Sequence, residues 1–134
     1  MANDGYPSSD KQPLAATLDA LTKTVTLTSA STAYVIDSVL VQKYAGALWE
    51  LTLTKGIAKR QIRVNVWHDG SATVAATTPV WNVDGGAAQG TVDVAITATL
   101  TGSGATQALN LVCTPSSTGW TANSFRIPSQ AIPQ

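Results

Sequence analysis

The sequence predicts an all-β fold, an antiparallel β-sandwich of jelly-roll type with extended N- and C-terminal arms, and three observations carry that reading. Apolar and polar residues alternate with a period of two through most of the chain after Lys23. Clusters of Gly, Pro, Asn, Asp and Ser break the alternation at roughly ten-residue intervals, giving about eight or nine short strands, the pattern of a sandwich or barrel and not of a βαβ chain. Charged residues make up 12% of the chain, where ordinary soluble domains have about 25%. Thr, Ser, Ala and Gly must therefore cover much of the surface, as in TLTSAST and TATLTGSGAT.

Residues 1–20 read as an N-terminal arm, because Pro7 and Pro13 in a polar, Gly-containing start exclude a central strand. Within it, Leu14, Leu18 and Leu21 recur at i, i+4 and i+7. That spacing fits one apolar face of a short helix and equally a coil lying on the sandwich, since two helical turns are marginal alone. Residues 21–127 form the sandwich domain. Strands are expected at 24–28 (TVTLT), 34–44 (YVIDSVLVQKY) and 47–56 (ALWELTLTKG), the last with Trp49, Leu51 and Leu53 on one face and Glu50, Thr52 and Thr54 on the other. The stretch KRQIRVNVWHDG sets Arg60, Ile62, Val64 and Val66 against Gln61, Arg63, Asn65 and Trp67, and its Asp69-Gly70 pair signals a two-residue hairpin turn. Further strands are expected at 72–76, 78–83, 91–100, 107–113 and 124–128. The uncharged tail, residues 128–134 with Pro128, Ile132 and Pro133, is expected to leave the sheet as a second extended arm.

A chain of 134 residues has the length of one domain. Eight Lys and Arg balance eight Asp and Glu, which speaks against a nucleic-acid partner, because such binders carry a basic domain or stripe. Lys55, Lys59, Arg60 and Arg63, near Trp67, are read as a solvated face or as a match for acidic residues of a partner. No apolar run approaches the roughly 18 residues of a membrane span, and the polar start is unlike a signal peptide, so a soluble protein made in the cytoplasm, with no membrane partner, is expected. Cys113 has no second cysteine and shares a strand face with Leu109 and Leu111, so it reads as a small buried apolar residue. His68 and Asp69 read as a histidine at a strand end and an aspartate chosen for a turn, since neighbours on a tight turn rarely supply triad geometry.

Among the carboxylates, Asp4, Asp10 and Asp19 fall in the arm, Asp69 and Asp84 in Gly turns, and Asp37, Glu50 and Asp93 point outward by alternation. None forms the pair that hydrolysis of a glycoside needs, and NVDGG offers too few oxygen ligands for calcium. No cofactor or metal is expected. Trp49 and Trp67 read as core or sheet-face aromatics. Trp81 and Trp120 lie beside turns, where they serve either as contact anchors or as caps over the end of the sandwich.

From about Tyr34 to Arg126 the chain resembles a small β-sandwich domain of the virion structural proteins of tailed bacteriophages. The shared pattern is the Trp-containing strand ALWELTLTKG, a basic residue opening KRQIRVNVWHDG, a TTP segment with a Gly turn, and a late LNL, SSTGW and FR ending. The resemblance implies a non-enzymatic virion protein that works as a homodimer or homotrimer, and the low charge points the same way. A short arm in place of a tail-fibre shaft implies a capsid cement or decoration protein that binds the major capsid protein and stabilises the head shell. The candidate contact residues are then Tyr6, Pro7, Pro13, Leu14 and Leu18 in the arm, Trp81 and Trp120 near loops, and Ile132 and Pro133 in the tail, with the extended segments adding to a partner's sheet edge. The alternative within the class is a tail-fibre or baseplate component that contacts a host receptor through Trp81 and Trp120. From another class, the alternative is a carbohydrate-active sandwich enzyme.

Overall fold

The computed structural model describes residues 21–128 and 132–134. Its strands are β1 (Thr22–Leu27), β2 (Tyr34–Leu40), β3 (Tyr44–Lys55), β4 (Ala58–His68), β5 (Pro79–Asp84), β6 (Ala88–Gln89), β7 (Val94–Thr101), β8 (Ala108–Pro115), β9 (Trp120–Arg126) and β10 (Ile132–Pro133), and a 3₁₀ turn spans Gly104–Thr106. Every pairing is antiparallel. The larger sheet runs β1-β9-β3-β4-β5, with β6 added to β4 and β10 to β3, and the smaller runs β2-β8-β7. A jelly roll shares eight strands between two sheets through two Greek keys. Here the division is seven and three, so β-sandwich is the term that the strand order supports.

Alternation builds the core as the sequence predicts. Ala47, Trp49, Leu51 and Leu53 of β3 and Ile62, Val64 and Val66 of β4 face Leu109, Leu111 and Cys113 of β8, and all are buried. β3 and β4 form a long hairpin that turns through Gly56 and Ile57, with Lys55 opposite Ala58. Among the described residues β1 pairs with β9 alone, Thr22 opposite Phe125 and Leu27 opposite Trp120.

Two lanes beside these central strands are interrupted. Along β4, β5 covers Arg63 to His68 and β6 covers Lys59 and Arg60. Between them the chain passes over Gln61, whose N–H donates to the Ala87 carbonyl at 3.0 Å. Gly86 is required there, because a Cβ would overlap the Gln61 carbonyl. Along β3, β9 reaches Trp49, and β10 resumes the lane with Ile132 opposite Gly46 and Pro133 opposite Tyr44. The C-terminal residues thus do not leave the sheet as an extended arm. Gln134 fastens them, its N–H donating to the Lys43 carbonyl at 3.0 Å and its side-chain amide to the Val41 carbonyl at 2.7 Å.

Two expectations for the segment after β4 are corrected. Residues 72–76 are not a strand, and Asp69-Gly70 is not a two-residue turn. Residues 69–78 form one loop, closed where His68 stands opposite Pro79. Apart from the Ser71 N–H, which donates to the Val74 carbonyl at 2.8 Å, the backbone bonds of this loop go to side chains and not to a neighbouring strand. Ser71 Oγ accepts from the Thr73 and Val74 N–H groups, Asp69 accepts from those of Thr77 and Thr78, and Gln107 holds both the N–H and the carbonyl of Ala76 at 2.8 Å.

Asp37, expected to point outward, is inside. The β2–β8 register slips between Val35 and Asp37, and one extra residue in a strand reverses the face of every residue after it. The buried Asp37 carboxylate accepts from Trp49 Nε1 at 2.8 Å, Lys23 Nζ at 3.1 Å and Arg126 Nη1 at 3.2 Å. Asp93, also expected outside, is half-buried and accepts from Trp120 Nε1 at 2.8 Å. The two fully buried indoles therefore each end on a carboxylate, which satisfies an N–H that burial would otherwise leave costly.

Candidate contact surface

At the β4–β5 end of the larger sheet, apolar side chains stand in water. Of the exposed large hydrophobic residues, Trp67, Val74, Val80 and Trp81 all fall between positions 67 and 81. Trp67 and Val80 are directly opposite in the β4–β5 pairing, so they share the outer face, 47% and 58% exposed. The Trp67 ring lies across Gly46, where an added Cβ would meet ring carbons at 3.0 Å and the Val66 carbonyl at 2.6 Å. Trp81, opposite Val66 and so on the other face of β5, remains 39% exposed.

β5 has β4 on one side and no strand on the other among the described residues. Its sequence, PVWNVD, carries one charge, at its last position. Edge strands are usually protected by lysines, bulges or very short length. Here Pro79 guards only the first residue, and Val80 to Val83 present an uncharged edge.

The predicted contact residues separate on this structure. Trp81 lies at the surface as expected. Trp120 is a correction: at 1% exposure it is a core residue, turned inward because Asp93 and Ser117 receive its indole N–H and the Lys55 ammonium sits 5.8 Å from its ring centre. Pro133 and the backbone of Ile132 are engaged with β3. Tyr6, Pro7, Pro13, Leu14 and Leu18 lie outside the described residues, as does the helix or coil expected of the arm. Sequence reasoning missed Trp67 and Val80 as contact residues. The signal was Trp67 itself, an aromatic in the phase otherwise held by Gln61, Arg63 and Asn65.

The ionisable groups hold structure. Gly70 N–H donates to His68 Nδ1 at 3.0 Å, which places the ring proton on Nε2 facing the Tyr44 carbonyl. His68 thereby ties the loop after β4 to the start of β3. The Thr77 hydroxyl and the Thr78 and Thr77 amides hold the Asp69 carboxyl well below the usual carboxylate range. Asp93 is also lowered, first by Ser117 and then by Trp120, against the opposing pull of burial. Burial pushes the Cys113 thiol up to about 12, so it is the inert core residue expected. The basic cluster disperses: Lys55 donates to Ser117 at 2.9 Å, while Arg63 pairs with Glu50 at 3.1 Å. Among the described residues, no three His, Cys, Asp or Glu side chains gather as metal ligands, and no helix is long and apolar enough to cross a membrane.

No family model matches the chain, and neither curated proteins nor solved structures give a match.

Proposed function

We propose that the chain is a non-enzymatic structural protein of a tailed-phage virion, a β-sandwich that works packed against further copies of itself and against the major capsid protein, cementing the head shell. The observation that carries this reading is the uncharged β5 edge flanked by exposed Val80, Trp81 and Trp67. An unprotected edge of this kind offers main-chain hydrogen bonds and aromatic anchors to a neighbouring chain. A chain with 12% charged residues offers little electrostatic resistance to such packing, and the phage-like sequence pattern supplies the setting.

The test is binding to purified phage heads lacking this protein, beside tails and host cells, for wild type and for a Trp67→Ser/Val80→Thr variant. Both substitutions lie on solvent-exposed positions, so the fold is expected to survive, and circular dichroism checks that it does. Saturable binding to heads that the variant loses supports the cement role. Binding to tails or cells with none to heads sinks it in favour of a tail-fibre or baseplate component.

A further inference from the structure

The outer face of the larger sheet carries a second surface, distant in character from the apolar β5 edge. Thr24, Asn123, Thr52 and Gln61 stand opposite one another in a single row across β1, β9, β3 and β4. The next row passes through Phe125, Glu50 and Arg63 to Asp84 on β5. With strands about 4.8 Å apart, each of these four-residue rows spans about 14 Å, and the two lie about 7 Å apart along the strands. Three adjoining depressions, of about 350, 290 and 260 Å³, open on this face, and Gln61 lines all three. The Gly85–Gly86–Ala87 crossing between β5 and β6 forms one wall of the trough.

The two outer faces of the sandwich treat their polar groups differently. On the smaller sheet, Ser38 Oγ donates to Asn110 Oδ1 at 2.7 Å, and Asn110 Nδ2 donates to Thr99 at 3.2 Å and Thr101 at 3.0 Å. That network is closed, and Asn110 is only 2% exposed. On the larger sheet, Thr24 donates to Asn123 Oδ1 at 2.8 Å. The Asn123 amide hydrogens, the Thr52 hydroxyl and the Gln61 carboxamide then have no protein partner among the described residues. Donors and acceptors are thus left available in one row, at the centre of a trough, with the half-buried Phe125 ring and the planar Glu50–Arg63 pair beside them.

We infer that this trough binds a neutral oligosaccharide. Sugar hydroxyls both donate and accept, which is what an adjacent hydroxyl and two carboxamides complement. The apolar face of a pyranose ring matches the Phe125 ring. Arg63 is held by Glu50 and Lys23 by Asp37, while Lys59 and Arg60 line only the end of the trough beside β6; the central row itself is uncharged, and a polyanion would need a cationic groove along its whole length. A peptide strand would need a free sheet edge, and this is the middle of a sheet. The site meets β5 only at its last residue, Asp84, away from Val80 and Trp67, and does not rest on the virion role.

The test is an array of glucose, galactose, mannose and N-acetylglucosamine oligomers, with heparin as the polyanion arm, followed by calorimetric titration and amide chemical-shift mapping of any binder. The expected result is binding of at least one neutral oligomer, with shifts at Thr52, Gln61 and Asn123. Gln61→Ala and Asn123→Ala should each weaken it about ten-fold, as loss of a well-placed ligand hydrogen bond does, with the urea midpoint unchanged. Trp67→Ser should leave it intact. The inference is overturned if no neutral oligomer binds at millimolar concentration, if binding survives both substitutions, or if heparin alone binds. Should a variant fail to fold, the wild-type shift map decides, and shifts outside the trough overturn the inference.

Discussion

Asp37→Ala tests whether the carboxylate inside the sandwich holds its three donors or merely accompanies them. The Asp37 side chain is 1% exposed, and its donors come from β1, β3 and the end of β9. Removing it leaves the buried Trp49 N–H without an acceptor, which costs about 1–3 kcal/mol. It also takes the counter-charge from Arg126, whose side chain is 18% exposed. Deleting one member of a buried pair costs about 3–5 kcal/mol. Arg126 keeps the Ser38 carbonyl at 2.9 Å, so the two losses do not simply add, and about 3–5 kcal/mol is the expected total. At roughly 4 °C per kcal/mol for a domain of this size, the midpoint should fall by about 12–20 °C.

Lys23 is a built-in control. Its side chain is 43% exposed, so Lys23→Ala should cost under about 1 kcal/mol. Asp37→Asn keeps an acceptor for Trp49 and should fall between the two. Urea unfolding followed by tryptophan fluorescence, with thermal circular dichroism beside it, reads all three. An Asp37→Ala variant within about 1 kcal/mol of wild type, or a Lys23→Ala variant equally damaged, would refute the reasoning.

Other consequences are open to simpler measurements. Gly86→Ala should destabilise the chain by about 1–3 kcal/mol through the clash with the Gln61 carbonyl, and an unchanged urea midpoint would show that the crossing relaxes freely. Asp69 has its pKa lowered on folding, so its contribution is complete above the unfolded carboxylate value of about 3.9 and fades as pH falls below it. Protection of the Thr77 and Thr78 amides from hydrogen exchange should therefore persist at pH 5 and decline in stronger acid, whereas Asp69→Ala removes it at every pH. Cys113, with its thiol pushed up to about 12, should resist iodoacetamide at pH 8 in the folded protein and react promptly in urea; fast native labelling would contradict its burial. Trp120→Phe should lower stability by more than Trp81→Phe, because the first leaves the Asp93 carboxylate without its indole donor and the second changes an exposed ring.

Local alternation was legible in the sequence, and contacts between distant segments were not. ALWELTLTKG and KRQIRVNVWH could be read because their alternation reports directly which side of a sheet is dry. Asp37 could not, since a bulge upstream shifts the phase and a bulge leaves no mark in residue type. The loop at 69–78 was hidden for another reason: Ala76 is held by Gln107, a partner far along the chain, and ATVAA by itself has strand composition. Trp120 was misplaced because SSTGW announces a turn but says nothing of Asp93 or Lys55. The polar trough was half visible, as Thr and Gln on the outer phase of β3 and β4. Which residues of β1 and β9 extend those rows depended on a pairing between distant segments.

That pairing sets a condition on how the protein is made. β1 leaves the ribosome more than ninety residues ahead of β9, the strand it pairs with among the described residues. At about 5–20 residues per second the first strand waits several seconds unpaired. TKTVTL is suited to the delay: its exposed threonines and Lys23 keep it compatible with water until Trp120 to Phe125 arrive. The price is kinetic, because a closure spanning nearly the whole domain belongs to the slow class of folding reactions.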